Sequence, residues 1–283
     1  MLLFEIIIEK EDGCMSEYQE NNLEVKVNNT EASVYSSDVT VSNLYEEATV
    51  EQPGFFKRLL WVFTSPGKLM ASLAEKPRVL FWLIFGSLPV LLLYIIRMPL
   101  LTDMLRQAAS AQSDIYEAYG LEMTPEMIEA SLPTTIATSL IAAPLTTFAG
   151  FFLTALIFFA IFKLMSGQGK YKAYLSVVVH ASIISALYIL LLIPISHFTG
   201  KLHMDVPLTS LASLAPLDMA GTPFYTFLAN IDIFKIWYYI VLAIGFCAVS
   251  KLKKKHVYIV TGIIFLVGVI ISVLSVTAAS ALV

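Results

Sequence analysis

Charge is scarce in this chain: only 14% of its 283 residues are Asp, Glu, Lys or Arg, against about 25% in an ordinary soluble domain. Cysteine is scarcer still. Cys14 lies in the polar head of the chain and Cys247 inside an apolar run, which excludes a disulfide framework and leaves Cys247 as a small core residue. Acidic residues are missing from the depth of every long apolar run. There is no Gly-x-Ser-x-Gly, no His-Glu-x-x-His and no phosphate-cradling glycine loop, so the usual routes to a hydrolase, a metalloenzyme or a nucleotide-hydrolysing enzyme are closed. The four histidines, His180, His197, His203 and His256, have no metal-ligand spacing. The expectation is a protein that is not an enzyme, with no catalytic residue, metal, cofactor or nucleic-acid partner.

What the chain has instead is apolar length. It is 57% hydrophobic with a mean hydropathy of +0.75, and the excess is gathered into runs, the signature of membrane spans. The first span is Val79–Ile96, closed by Arg97; 18 residues at about 1.5 Å each give about 27 Å, just enough to cross. Pro89 and Ser87 within it suggest a kink. The second lies within Ile136–Phe162, too long for a straight perpendicular helix, so it must tilt, kink near Pro144 or begin above the bilayer. The third is Tyr174–Ser196, the fourth Ile233–Ser250 and the fifth Val257–Ala279. Between the first two, residues 97–133 read as two short helices, with Gly120 stopping one and Thr124-Pro125 starting the next. The fold class is therefore all-α integral membrane, with five transmembrane helices preceded by an interfacial amphipathic helix and a disordered acidic N-terminal tail.

The charges that remain are sorted by loop. Lys57, Arg58, Lys68, Lys76 and Arg78 precede the first span; Lys163, Lys170 and Lys172 separate the second and third; Lys251, Lys253, Lys254 and Lys255 separate the fourth and fifth. The other two loops carry only Arg97, Arg106 and Lys201 among eight acids. The positive-inside rule then puts the N-terminus in the cytoplasm and the C-terminus outside the plasma membrane. Residues 1–52 hold twelve acids against Lys10 and Lys26 and read as a disordered cytoplasmic tail, with short strands at Leu23–Val27 and Ser33–Val41 as the alternative. Leu2–Ile8 lacks a basic flank and is no signal peptide. Lys10-Glu11-Asp12 can be encoded as a purine-rich ribosome-binding site, so translation is expected to start at Met15, leaving residues 1–14 unmade. Residues 53–77 form the interfacial segment, with Phe55, Phe56, Leu59, Leu60 and Phe63 at helical spacing. Phe55 and Phe56 are expected to insert, while Lys57, Arg58, Lys68 and Lys76 meet anionic headgroups. Residues 78–283 form the five-span domain.

A few polar residues stand out against this background. His180 is mid-span, where a polar side chain usually faces protein; a hydrogen bond to a neighbouring helix and a proton-relay or ligand role are the two readings. Asp232 and Lys235 share a face at the outer end of the fourth span. An N-terminal acid favoured by the helix dipole, with a snorkelling lysine, accounts for them; with Phe234 and Trp237 they also make a plausible docking edge. Gly245 and other small residues permit close helix packing.

Several stretches together resemble the Yip family, named for Ypt/Rab-interacting proteins, in its bacterial form. They are Phe56-Lys-Arg-Leu, Phe63-x-Ser65-Pro66 and Leu73-Ala-Glu75-Lys76-Pro77 before the first span, then Ile231-Asp232-Ile233-Phe234-x-Ile236-Trp237 opening the fourth, with Gly245-Phe246 below it. The resemblance covers about residues 54–279. It implies a five-span helical domain with a cytoplasmic N-terminus. Eukaryotic members are linked to Rab GTPases, but the Asp-Leu-Tyr-Gly-Pro-type segment expected of them is absent, so Rab binding does not carry over. The expected function is non-enzymatic binding to membrane lipids, to itself as a homo-oligomer, or to another membrane protein. A small transporter or channel component is the alternative, with His180 and the threonines of the second span lining a polar path; a membrane enzyme of unknown type ranks third. Scattered polar residues rather than a continuous polar stripe favour binding.

Overall fold

The computed structural model describes residues 52–118, 120, 123–203 and 208–280. The acidic tail, its alternative strands and Met15 lie outside these. Ten α-helices carry the described residues: α1 (Phe55–Thr64), α2 (Pro66–Glu75), α3 (Leu80–Ile96), α4 (Met98–Ala118), α5 (Pro125–Leu164), α6 (Tyr171–Ala181), α7 (Ile183–Thr199), α8 (Pro223–Asn230), α9 (Ile233–Ser250) and α10 (Lys254–Ser280). No strand occurs among them. Taking α6–α7 as one, four helices are long and apolar enough to cross a membrane, and the bent pair α3–α4 supplies a fifth.

Local chemistry explains most boundaries. Ser65 separates α1 from α2, and Pro66 takes the first position of α2, where its missing N–H costs nothing. Thr124 caps α5 through its side-chain oxygen, which accepts from the Met127 N–H, with Pro125 at the first helical position. Thr222 and Pro223 open α8 in the same way. α3 stops at Arg97, and the chain turns by 87° into α4.

The segment between the first two spans differs from the expected pair of short helices. α4 is one helix of 21 residues, and the helix capped by Thr124 is already the second span. α5 runs unbroken for 40 residues through Pro133 and Pro144, about 60 Å of helix against about 30 Å of hydrocarbon. Its first turns stay polar: Glu129 accepts from Arg106 of α4 at 2.6 Å. Of the three ways to fit this run, beginning beyond the bilayer agrees best with that ion pair. The third span also departs from expectation, breaking at Ser182 between α6 and α7. The Ser182 hydroxyl turns back onto the Val179 carbonyl at 2.9 Å, a local bond that competes with the helix ladder.

α6–α7 is the most enclosed of the candidate spans. α6 packs on α5, α9 and α2, and α7 on α3 and α9. One part of the core is aromatic: Phe158, Phe162, Tyr174 and Phe246 are all buried, with Phe158 and Phe246 rings 4.4 Å apart. A second part gathers Leu93, Leu101, Leu192 and Leu202 where α3, α4 and α7 meet. The outer faces are apolar instead of polar. Ile263, Leu266, Ile270 and Leu274 are exposed along α10, as are Ile141, Leu145, Leu153 and Leu156 along α5. Patches of this extent mark surfaces meant for something other than water, and lipid is the solvent that suits them.

Hydrogen bonds tie loops of like charge together at each end. At the lysine-rich end the Gln168 N–H donates to the Ser250 carbonyl at 2.8 Å. The Ser176 hydroxyl bridges both backbone groups of Arg78, each at 3.1 Å. At the opposite end Arg97 donates to the Ser196 carbonyl at 3.0 Å.

Candidate functional site

At the lysine-rich end, α1 divides its residues between two surroundings. Phe55, Arg58 and Val62 recur at three- and four-residue spacing and so share one face. Phe55 stacks on Trp82 of α3 at 5.2 Å, Val62 is fully buried and Arg58 is only 2% exposed. Phe56, Leu60 and Phe63 on another face are exposed, and Phe55, though stacked on Trp82, is as exposed as Phe63. Lys57, Lys68 and Lys76 are exposed, Lys57 over the Trp61 ring at 4.9 Å.

Arg58 is therefore not the surface cation that its place in the sequence suggests. Its Nε donates to the Pro53 carbonyl at 2.7 Å. Its two terminal nitrogens are buried and have no hydrogen-bond partner among the described residues. Burial and the charge of Arg78 lower its pKa, though arginine stays protonated in proteins. Stripping a buried charge of its partner costs about 3–5 kcal/mol, so this arrangement is expensive unless an acceptor is supplied.

His180 of α6 packs on the same Trp82 ring that Phe55 stacks on. It is fully buried, with its ring 4.8 Å from that of Trp82. Its Nδ1 lies 2.7 Å from the Ser176 carbonyl of its own helix. A carbonyl only accepts, so Nδ1 carries the proton and Nε2 of the neutral ring is an acceptor. That Nε2 is buried and unpartnered among the described residues. The bond expected to a neighbouring helix is thus made within α6. Phe55, on the face of α1 that carries Arg58, thus shares the Trp82 ring with His180, and Arg58 and His180 hold unused donors and an unused acceptor among the described residues.

The opposite end holds the other predicted cluster. Asp232, 5% exposed, is the N-cap of α9 and accepts from the Lys235 N–H at 2.8 Å. Its second oxygen accepts from the Thr209 hydroxyl. Lys235 reaches sideways to Asn230 at 2.6 Å, and Asn230 in turn donates to Ser272 of α10 at 3.2 Å. The lysine joins two helices by a relay instead of snorkelling. Phe234 lies 5.3 Å from Tyr188. Asp232, Phe234, Lys235, Tyr188 and Tyr238 line a cleft of about 340 Å³. Trp237 is half-buried and is not among the residues lining it, so Asp232, Phe234 and Trp237 do not form one exposed edge.

Gly245 sits mid-α9, where a Cβ would lie 2.4 Å from Val177 Cγ1 and 2.9 Å from Met70 Sδ. Only glycine admits this approach of α2 and α6. The sequence singled out Gly245, Asp232 and His180. It gave no signal for Thr209, Asn230 or Ser272, because each is a common residue and the bonds Thr209–Asp232 and Asn230–Ser272 span 23 and 42 positions. Among the described residues no three His, Cys, Asp or Glu side chains gather for a metal ion.

A bundle with apolar outer flanks and helices long and apolar enough to cross a membrane four or five times defines a multi-pass helical membrane protein. Residues 61–276 match the Yip1 domain, about three-quarters of the chain, and the chain belongs to that family. It is 28% identical over 226 residues to the membrane protein YknW of Bacillus subtilis (strain 168), a match covering 80% of this chain and 90% of that one. No solved structure matches.

Proposed function

We propose that this Yip1-family protein works by binding at the membrane and not by catalysis, and that its lysine-rich end engages anionic lipid of the inner leaflet. The observation that carries this reading is the split character of α1. One face is locked to α3 through Phe55 and Trp82, while Phe56, Leu60 and Phe63 remain exposed and the exposed lysines Lys57, Lys68 and Lys76 accompany them. A helix so anchored holds its apolar side at the headgroup boundary, and each basic residue near an anionic surface adds about 1 kcal/mol. In this orientation the chain enters on the cytoplasmic side of the plasma membrane, crosses five times and ends outside.

The test uses the purified full chain in mild detergent. Anionic lipid should be retained in preference to zwitterionic lipid, and salt should weaken that preference. Equal retention of both at low salt would remove the electrostatic part of the reading.

A further inference from the structure

We propose that Arg58, together with His180, forms a specific binding site for one phosphate oxyanion, taken from the headgroup of an inner-leaflet phospholipid. This rests on the lipid-binding reading above and narrows it from a surface to two named side chains. Three observations support it. The Arg58 guanidinium is buried, yet only its Nε is used, on Pro53; both terminal nitrogens lack a partner among the described residues. Two parallel N–H donors at the end of a planar fork match the geometry of a phosphate. Arg78 is exposed, and its backbone is tied to Ser176, one turn before His180 on α6.

The remaining polar atom gives the ligand a second feature. His180 Nε2 is a buried acceptor without a donor, walled by Trp82 at 4.8 Å. An anionic oxygen suits Arg58, and a hydroxyl suits His180. A phosphodiester carrying a hydroxylated headgroup offers both; a choline headgroup offers no hydroxyl and adds a cation to a site that already holds Arg58. Residues 52–54 lie across the site, with Pro53 buried over Arg58 and Gln52 reaching the Ser72 carbonyl at 3.4 Å. They form a short strap that a headgroup would enter beside.

The experiment titrates the purified full chain in detergent with short-chain phosphatidylglycerol, short-chain phosphatidylcholine or inorganic phosphate, following Tm. Wild type should show a saturable rise with phosphatidylglycerol and none with phosphatidylcholine. Arg58→Met should bind phosphatidylglycerol about tenfold more weakly or worse, the loss expected for charge-assisted hydrogen bonds. Without lipid it should melt no lower than wild type, because it removes an unpaired buried charge. Arg58→Lys, which keeps the charge but loses the fork, should fall between and serves if the methionine variant does not fold. A rise with inorganic phosphate equal to that with phosphatidylglycerol would keep the oxyanion site and overturn the lipid as its source. An unchanged phosphatidylglycerol response in both Arg58 variants, with loss of response in a Lys57→Gln, Lys68→Gln, Lys76→Gln variant, would refute the site and leave the surface reading standing. No change in any variant would overturn both.

Discussion

Asp232→Ala is expected to destabilise the bundle by about 1–2 kcal/mol. The carboxylate does two jobs in a place that is 5% exposed. One oxygen caps α9 through the Lys235 N–H at 2.8 Å, and losing such a cap costs about 1 kcal/mol. The other accepts from the Thr209 hydroxyl; Thr209 is itself exposed, so its hydroxyl can turn to water and losing the bond costs about 0.5–1.5 kcal/mol. The two losses share one side chain and will not add fully. Asp232→Asn keeps an oxygen able to cap and should cost under about 1 kcal/mol. Thr209→Val removes the donor, so it should cost less in the Asp232→Ala background than in wild type, with a coupling of about 1 kcal/mol. Equilibrium unfolding in mixed micelles, read by Trp fluorescence, supplies all four corners of the cycle. A loss below about 0.5 kcal/mol for Asp232→Ala, or equal losses for Asn and Ala, would refute the assignment of both bonds.

Gly245→Ala should cost about 1–3 kcal/mol by overpacking, because its Cβ would fall 2.4 Å from Val177 Cγ1; Gly245→Ala combined with Val177→Ala should recover part of this, and no recovery in the melting temperature would place the clash elsewhere. Lys235→Met should loosen α9 from α10 by breaking the bond to Asn230 at 2.6 Å, seen as faster proteolysis near Ser272 in detergent; unchanged cleavage would discount the relay. Ser176→Ala removes both bonds to the Arg78 backbone, each at 3.1 Å. It should lower stability by about 1–2 kcal/mol, measured by thermal melting, and a neutral result would argue that water replaces the hydroxyl.

The spans were legible because lipid leaves little freedom: about 20 apolar residues must appear together. α9 matches its expected Ile233–Ser250 at both ends, since Asp232 caps it and Lys251 comes next. The break at Ser182 was not legible. Ser182 is one of several small residues in that run, and nothing in the run singles out its bond to Val179 from the others. Arg58 illustrates the converse. Its charge was read as surface charge because it adjoins Lys57, yet on a helix adjacent residues point about 100° apart, and Arg58 turns inward with Val62. Asp232 was readable as a cap from its position; its bond to Thr209 was not, because that partner lies in an irregular loop with no periodicity to place it.

Reporter fusions at Gly169, after Lys253, at Gln112 and at Ser213 test the central claim most directly. If the lysine-rich end faces the cytoplasm and the chain crosses five times, the first two report a cytoplasmic location and the last two an external one. Reversal at any two of the four would contradict the orientation, and with it the placement of the α1 lysines and Arg58 at the inner leaflet.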